Sequence, residues 1–392
     1  MSGLGASLIR WRGAVLGDEV RWRRAVLGLA ALAFGVRLLV AAGTGGGEDL
    51  KLYHAFGGLV ADGFNPYHPP PGFPLPDRFG DNLPLELLLF AGVLKVHDAA
   101  MSLRVLFAAA DAGVILLIGL HYARPRAWRA AFVIFYAFNP LVLGSWTATS
   151  EDKTLLFLLF AATILAVERD RPAWSWAGTA VLTAIKGFGI ALAPMLFVHT
   201  ARRRGWRLAL GCVAGYVAAV AIGHLPWFPD DLDAYSHRAD RTNFPVPGHA
   251  SLTQVLSRLD VYDPAVARLG VPILVVAIFV LFWRELIGIV EAMVLANAAT
   301  LVLQPDHSYP RVLFATLPFL LILRTDRRRW LVLWAVSVLG SIAVYFQQER
   351  GELGGYSSFP HVLAANAFFF VVIAYYARDK FAGRGVTQPS PA

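Results

Sequence analysis

Residues 25 to 42, AVLGLAALAFGVRLLVAA, carry one charge, Arg37, in a stretch long enough to cross a bilayer, and apolar runs of this kind recur along the chain. With 57% of its residues hydrophobic and 16% charged, the chain has too little polar surface to cover so much apolar length in water. It is read as an all-α polytopic membrane protein. The first run is followed by glycines and acids rather than by an A-x-A cleavage site, so it reads as a retained span. The single cysteine, Cys212, lies inside an apolar run and can build neither a disulfide framework nor a thiolate metal site.

The net charge of +8 comes from short arginine clusters beside apolar runs, the pattern that signals membrane orientation rather than nucleic-acid binding. Arg10, Arg12, Arg21, Arg23 and Arg24, interleaved with apolar residues, make residues 1–24 a cytoplasmic amphipathic segment. Crossings are expected at 25–42, 102–121, 129–149, 153–168, 207–226, 270–283, 286–303, 309–323, 330–346 and 360–377, within one transmembrane domain over 25–377, with a cytoplasmic tail at 378–392. Two further apolar stretches do not fit as single crossings. Residues 83–96 are too short and carry Glu86 and Lys95, which suits a re-entrant or interfacial segment. Residues 173–199 have arginines on both flanks, and a pair of half-helices broken at Lys186-Gly187-Phe188-Gly189 keeps both flanks on one side. The basic residues then favour the cytoplasmic loops by about two to one, with both termini cytoplasmic. A bacterial cell membrane is expected rather than the endoplasmic reticulum.

The cytoplasmic loops are short, and the long polar segments, 43–101 and 227–269, fall on the outer face, so the working surface is expected there. No GxxxxGK[ST], HExxH, GxSxG or paired CxxC occurs, which argues against an ATPase, a zinc protease or a serine hydrolase. Acids at the mouths of spans are the better functional candidates, because partial burial tunes a carboxylate: Glu48, Asp49, Glu151, Asp152 and Asp306.

The order of an acidic pair after the first span, Asp49-x-x-x-Tyr53, GFNPY (63–67), FNPLVLGSWTATSED (138–152), AGTAVLTAIKGFGIALAP (177–194) and HSYPRVLFATLP (307–318) resembles the GT-C glycosyltransferases. Within them it is most similar to the polyprenol-phosphate-mannose-dependent mannosyltransferases. That resemblance implies a multispanning hexosyltransferase that moves a sugar, mannose as first choice, from a polyprenyl-phosphate donor to a glycan or glycolipid acceptor at the outer face, with inversion. Asp49 matches the acid that serves such enzymes as general base. Where those proteins often carry G-H/Q-x-D, this chain reads Thr149-Ser150-Glu151-Asp152.

The residues lead the same way. An enzyme at the outer face has no nucleotide-sugar supply, so its donor is lipid-borne. A phosphate leaves without a general acid, so inversion needs one carboxylate to take the acceptor proton and cations to hold the phosphate. Two carboxylates about 5 Å apart would instead suit a retaining site. Glu48 and Asp49, on an extended loop, would point apart. This leaves Asp49 as the base, with Glu48, Glu151 and Asp152 as helper acids. Lys186 and Arg311, with His307 and Tyr309 beside the latter, are the candidate phosphate-binding groups, and Tyr53, Asn65 and Tyr67 the candidate sugar or acceptor contacts. Membrane anchoring explains the loop aromatics and Arg311 nearly as well. Arg37 and Asp111 are expected to pair across the bundle, outside the site. Asp231-x-Asp233 reads as loop charge, and neither a metal nor another cofactor is expected. Membrane lipid and the two substrates are the expected partners. The rival reading is a secondary transporter or a lipid or glycan flippase with a mid-membrane site at Lys186; carriers commonly show such a broken helix twice, and no second one follows residue 200.

Overall fold

A computed structural model describes residues 15–73, 83–187, 189–234, 255–257, 259–302, 327–349 and 359–381. The expected span at 309–323 and the candidates His307, Tyr309 and Arg311 lie outside these residues, as does Asp306. The described elements are helices throughout: α1 (Glu19–Gly43), α2 (Glu48–Ala61), α3 (Pro84–Val96), α4 (Ala100–Leu116), α5 (Arg126–Ala137), α6 (Lys153–Glu168), α7 (Pro172–Lys186), α8 (Ala193–Arg204), α9 (Trp206–His224), α10 (Pro264–Trp283), α11 (Ile289–Val302), α12 (Arg327–Glu349) and α13 (Phe359–Phe381).

Among the described residues, four helical stretches are long and apolar enough to cross a membrane: Glu19–Gly43, Ala100–His121, Arg126–Gly144 and Trp206–Trp227. Shorter apolar helices occupy Leu269–Trp283 and Ile289–Leu301. The remaining described crossings expected from hydropathy are helical too, but α6 has only 16 residues, about 24 Å at 1.5 Å per residue. Its sides are largely buried by protein, so its apolar character serves packing as much as lipid contact.

Residues 48–61 correct the expectation of an extended loop. They form α2, because Leu50, Tyr53, Phe56 and Val60 recur at helical spacing. That stripe packs on Leu87, Phe90, Ala91 and Leu94 of α3, all buried. Each large apolar side chain so buried contributes about 1.5–3 kcal/mol. The pair makes a short helical hairpin between α1 and α4, as suits a segment too short to cross.

The break in residues 173–199 lies where the flanking arginines place it. Helix α7 ends at Lys186, Gly187 takes a left-handed φ of 73°, a short 3-10 turn follows, and α8 runs back. A Cβ on Gly189 would sit 2.1 Å from the Thr179 carbonyl, so only glycine permits this closeness. The reversal is complete: Trp176 Nε1 donates to Thr200 Oγ1 at 3.1 Å, and Arg204 meets Asp170 at 2.6 Å.

Basic residues gather at one end of the bundle. Arg126 reaches the Leu16 carbonyl at 2.8 Å, Arg124 pairs with Glu168, and Arg169 reaches the His121 carbonyl at 2.7 Å. Arg202 pairs with Glu285 at 3.4 Å, Arg329 with Asp379 at 2.6 Å, and Lys380 with Glu291 at 3.1 Å. These contacts tie the helix ends that the arginine pattern assigns to one face.

In the bundle's interior Arg37 of α1 and Asp111 of α4 form the expected ion pair, 2.5 Å apart and both buried. The guanidinium also donates to the Ala137 carbonyl at 3.0 Å and the Ala33 carbonyl at 3.3 Å, and the Tyr136 hydroxyl donates to Asp111. Every charge here is answered within the fold, which locks α1, α4 and α5 in register. Breaking a buried pair from one side strands the other charge at a cost of about 3–5 kcal/mol. Asp111→Ala should therefore lower unfolding stability in detergent by about that amount, while Arg37→Met with Asp111→Leu should recover most of it. Equal stability of the single and double variants would contradict this role.

Candidate active site

The acids of the FNP segment are placed by three successive backbone features. Asn139, buried, accepts from the Leu141 amide at 2.8 Å, a local turn that starts the segment. Residues Val142–Thr147 then form a π-helical turn, a form that concentrates at functional sites. Ser150 is left-handed, with φ 61°, a conformation a non-glycine residue holds only when its surroundings enforce it. Asp152 follows as the N-cap of α6, but its side chain does not cap the helix. The carboxylate turns instead into a buried cluster.

There it is held by three groups. Tyr53 Oη donates to Asp152 Oδ1 at 2.9 Å, Lys153 Nζ donates to the same oxygen at 2.6 Å, and Lys186 Nζ lies 2.6 Å from Oδ2. Lys186 also stands 5.8 Å from the centre of the Tyr53 ring. Glu86, on the first turn of α3, places Oε2 at 4.0 Å from Lys186, and Glu151 Oε2 lies 3.7 Å from Lys153. Burial raises the Asp152 carboxyl, yet the Lys153 and Lys186 ammonium groups outweigh it and hold the group well below the usual carboxylate range. Asp152 is thus a fixed anion and a weak base.

Asp49 stands at the edge of this cluster. As the second residue of α2 it shares a face with Tyr53, one turn on, and its charge acts on both Tyr53 and Lys153. It is half-buried and forms no ion pair with a described cation. The glycine run sets this entry. Gly46 has φ 76°, and a Cβ there would meet Arg104 Nη2 at 2.4 Å; the Gly47 amide donates to the Thr149 carbonyl at 2.8 Å. The start of α2 is thereby fastened to the acid-bearing segment. Glu48 lies beside it in α2, and its side chain is outside the described set.

The GFNPY loop closes against the end of α9. Asn65 Nδ2 donates to Asp230 Oδ2 at 2.8 Å, and its own oxygen accepts from the Tyr67 amide at 3.0 Å. His68 meets Asp230 at 3.2 Å, Tyr67 packs edge-on against Trp227 at 6.0 Å, and His224 pairs with Asp231. Asn65 therefore tethers two loops. Burial raises the Tyr67 phenol, which lies near Asp231 and Glu86. Among the described residues no three metal-ligating side chains are grouped to hold an ion.

The structure thus brings Asp49, Tyr53, Glu151, Asp152 and Lys186 together, with Asn65 and Tyr67 in the adjoining clasp. Two members fall outside the sequence-based set, Lys153 and Glu86. Both carried a signal, an ionisable side chain within or next to an apolar run, which is the argument that singles out Lys186. The arrangement offers one exposed-edge carboxylate beside a buried set of two ammonium groups and their counter-charges, suited to an anionic substrate and a proton-accepting step.

All-helical architecture, several helices able to cross a membrane and a charged cluster at one end of the bundle define a membrane glycosyltransferase of the GT-C type once sequence comparison is added. Residues 84–305, more than half of the chain, match glycosyltransferase family 87, and the protein belongs to that family. The matched region contains Glu86, Glu151, Asp152, Lys153 and Lys186, whereas Asp49 and Tyr53 precede it. No curated protein matches the chain.

Removing the central anion leaves two nearly buried ammonium groups facing each other. Asp152→Ala should lower stability by about 3–5 kcal/mol, with Glu151→Ala costing less than half as much. Thermal unfolding followed by tryptophan fluorescence measures both, and equal small losses would remove Asp152 from its central position.

Proposed function

We propose that the protein transfers a sugar, mannose as first choice, from a polyprenyl-phosphate donor to a glycan or glycolipid acceptor, with inversion and with Asp49 as general base. The reaction is assigned to the outer face of a bacterial cell membrane, opposite the arginine-rich end. The observation that supports this reading best is the division among the carboxylates. Asp152 is neutralised by Lys153 and Lys186, and Glu86 is sealed from solvent, whereas Asp49 sits at the rim. In an inverting transfer the acceptor hydroxyl attacks the anomeric carbon, the bond to the phosphate oxygen breaks with its electron pair, and the hydroxyl proton passes to the base. The leaving phosphate already carries stabilised negative charge, so cations suffice for it. Lys186 is the described candidate, its ammonium shared with Asp152, and Arg311 with His307 and Tyr309 are assigned to the same task. Glu48 and Glu151 are assigned as helper acids, the latter buried beside Lys153, and Tyr53 orients the Asp152 anion.

Asp49→Asn keeps size and most hydrogen bonding but removes basicity. Transfer of labelled mannose from a synthetic polyprenyl phosphate to envelope glycolipid should fall by roughly 10²- to 10⁴-fold, with donor binding and melting temperature near wild type. A well-folded variant that turns over at the wild-type rate would dismiss Asp49 as base. Orientation is tested separately, by single cysteines in a Cys212→Ser background. A cysteine at Gly72 should react with an impermeant reagent applied outside, and one at Ala201 should not; the reverse result would place the site on the cytoplasmic face.

A further inference from the structure

The cluster around Asp152 contains a donor deficit. Glu86 is 0% exposed, and neither of its carboxyl oxygens accepts a hydrogen bond. Asp152 Oδ2 has none either: Lys186 Nζ meets it at 2.6 Å as a charge contact whose geometry falls outside that of a hydrogen bond. The same Lys186 Nζ is 4.0 Å from Glu86 Oε2, too far for a hydrogen bond. The two carboxyl groups are themselves in side-chain contact. When ionised, both are acceptors only, and two touching acceptors in a dry interior repel.

We infer that Glu86 is a positioning residue kept as the neutral acid, its O–H donated to Asp152, so that Lys186 faces one counter-charge rather than two. One proton gives Asp152 a donor and takes the charge off Glu86, whose other oxygen is left as a neutral carbonyl acceptor. It also limits the negative charge of the cluster. With Glu86 neutral, the buried charges on Asp152 and Glu151 are matched by Lys153 and Lys186, with Asp49 at the edge; an ionised Glu86 would add a further buried negative charge and oppose an anionic donor. That last consequence rests on the proposed donor class, whereas the location of the proton does not. Burial independently pushes the Glu86 carboxyl well up, with Lys186 opposing and Asp152 adding to the rise. The groups that face it are Tyr53 of α2, Tyr67 of the following loop, Asp152 and Lys153 at the start of α6, and Lys186 at the end of α7. Arg104 and Asp111 of α4 are turned to the Thr44 carbonyl and to Arg37, and His224 of α9 to Asp231.

The test uses the purified full chain in detergent, without substrate. Infrared spectra near neutral pH should show a protonated carboxyl band that shifts in D₂O and is missing in Glu86→Gln, whose amide still donates to Asp152. The same band in both proteins would overturn the proposal. Stability gives a second reading. Unfolded Glu86 loses its proton above about pH 4.3, while the folded group keeps it to higher pH. Stability present in the wild type below that pH is therefore lost as pH rises, and Glu86→Gln escapes the loss. Its melting temperature should match wild type near about pH 4 and exceed it increasingly toward about pH 8. A pH-independent difference, or a Gln variant that fails to fold, would count against the shared proton. Glu86→Ala, which leaves Asp152 without the donor, should be less stable than Glu86→Gln throughout. Failure of sugar transfer from a polyprenyl phosphate, with these two signatures present, would refute the donor assignment alone.

Discussion

A carboxylate removed from water is tolerated only where cations and donors meet it, and Asp152 satisfies that condition by drawing on four separate parts of the chain. Tyr53 arrives on α2, Lys153 on α6, Lys186 on the end of α7, and Glu86 on the first turn of α3. Apolar packing alone is non-directional and would allow these helices to slide by a turn. The ionic contact does not allow it, because a slip of one turn would leave two ammonium groups and an anion without partners in a dry interior. The site and the local register of the bundle are therefore one problem with one solution.

Among the described residues, two of the buried ionic groups, Arg37 with Asp111 and the set around Asp152, differ in a way that separates scaffold from chemistry. Arg37 and Asp111 are saturated: carbonyls and the Tyr136 hydroxyl take up the remaining hydrogen-bonding capacity, and the group lies deep between α1, α4 and α5. The Asp152 group depends on the shared Glu86 proton, lies at the end of the bundle and borders the half-buried Asp49. Saturation deep in the bundle fits a fixed support. A charged set at the bundle's end beside a reachable acid fits a place where substrate is met.

Much of this was legible in the residues. The arginine flanks of residues 173–199 gave away the fold-back, because a single crossing would have put one basic flank on the wrong side. Arg37 and Asp111 were recognisable as partners since an isolated charge in either helix would be too costly. Lys186 and Asp152 were each visible as candidates, but their pairing was not, because the contact joins residues 34 apart in sequence across the α6–α7 hairpin and nothing local encodes it. Glu86 was hidden by its segment, which reads as interfacial, where a carboxylate is unremarkable. The helix at 48–61 was masked by the glycine run before it and the proline-rich loop after it, although the spacing of Leu50, Tyr53, Phe56 and Val60 carried it. Asn65 looked like a ligand contact because the clasp with Asp230 is likewise non-local.

The reversal at Gly187–Gly189 has a consequence of parity. Because α7 and α8 go out and return, the pair contributes an even count, and the helices after Gly205 begin at the same end as if residues 172–204 were absent. Such a pair is a removable insert as far as the direction of the downstream chain is concerned, free to vary in length while carrying Lys186 at its tip. The same arithmetic makes it a point of failure. Straightening the break into one helix would make the count odd, and everything from α9 onward would have to enter the bundle upside down.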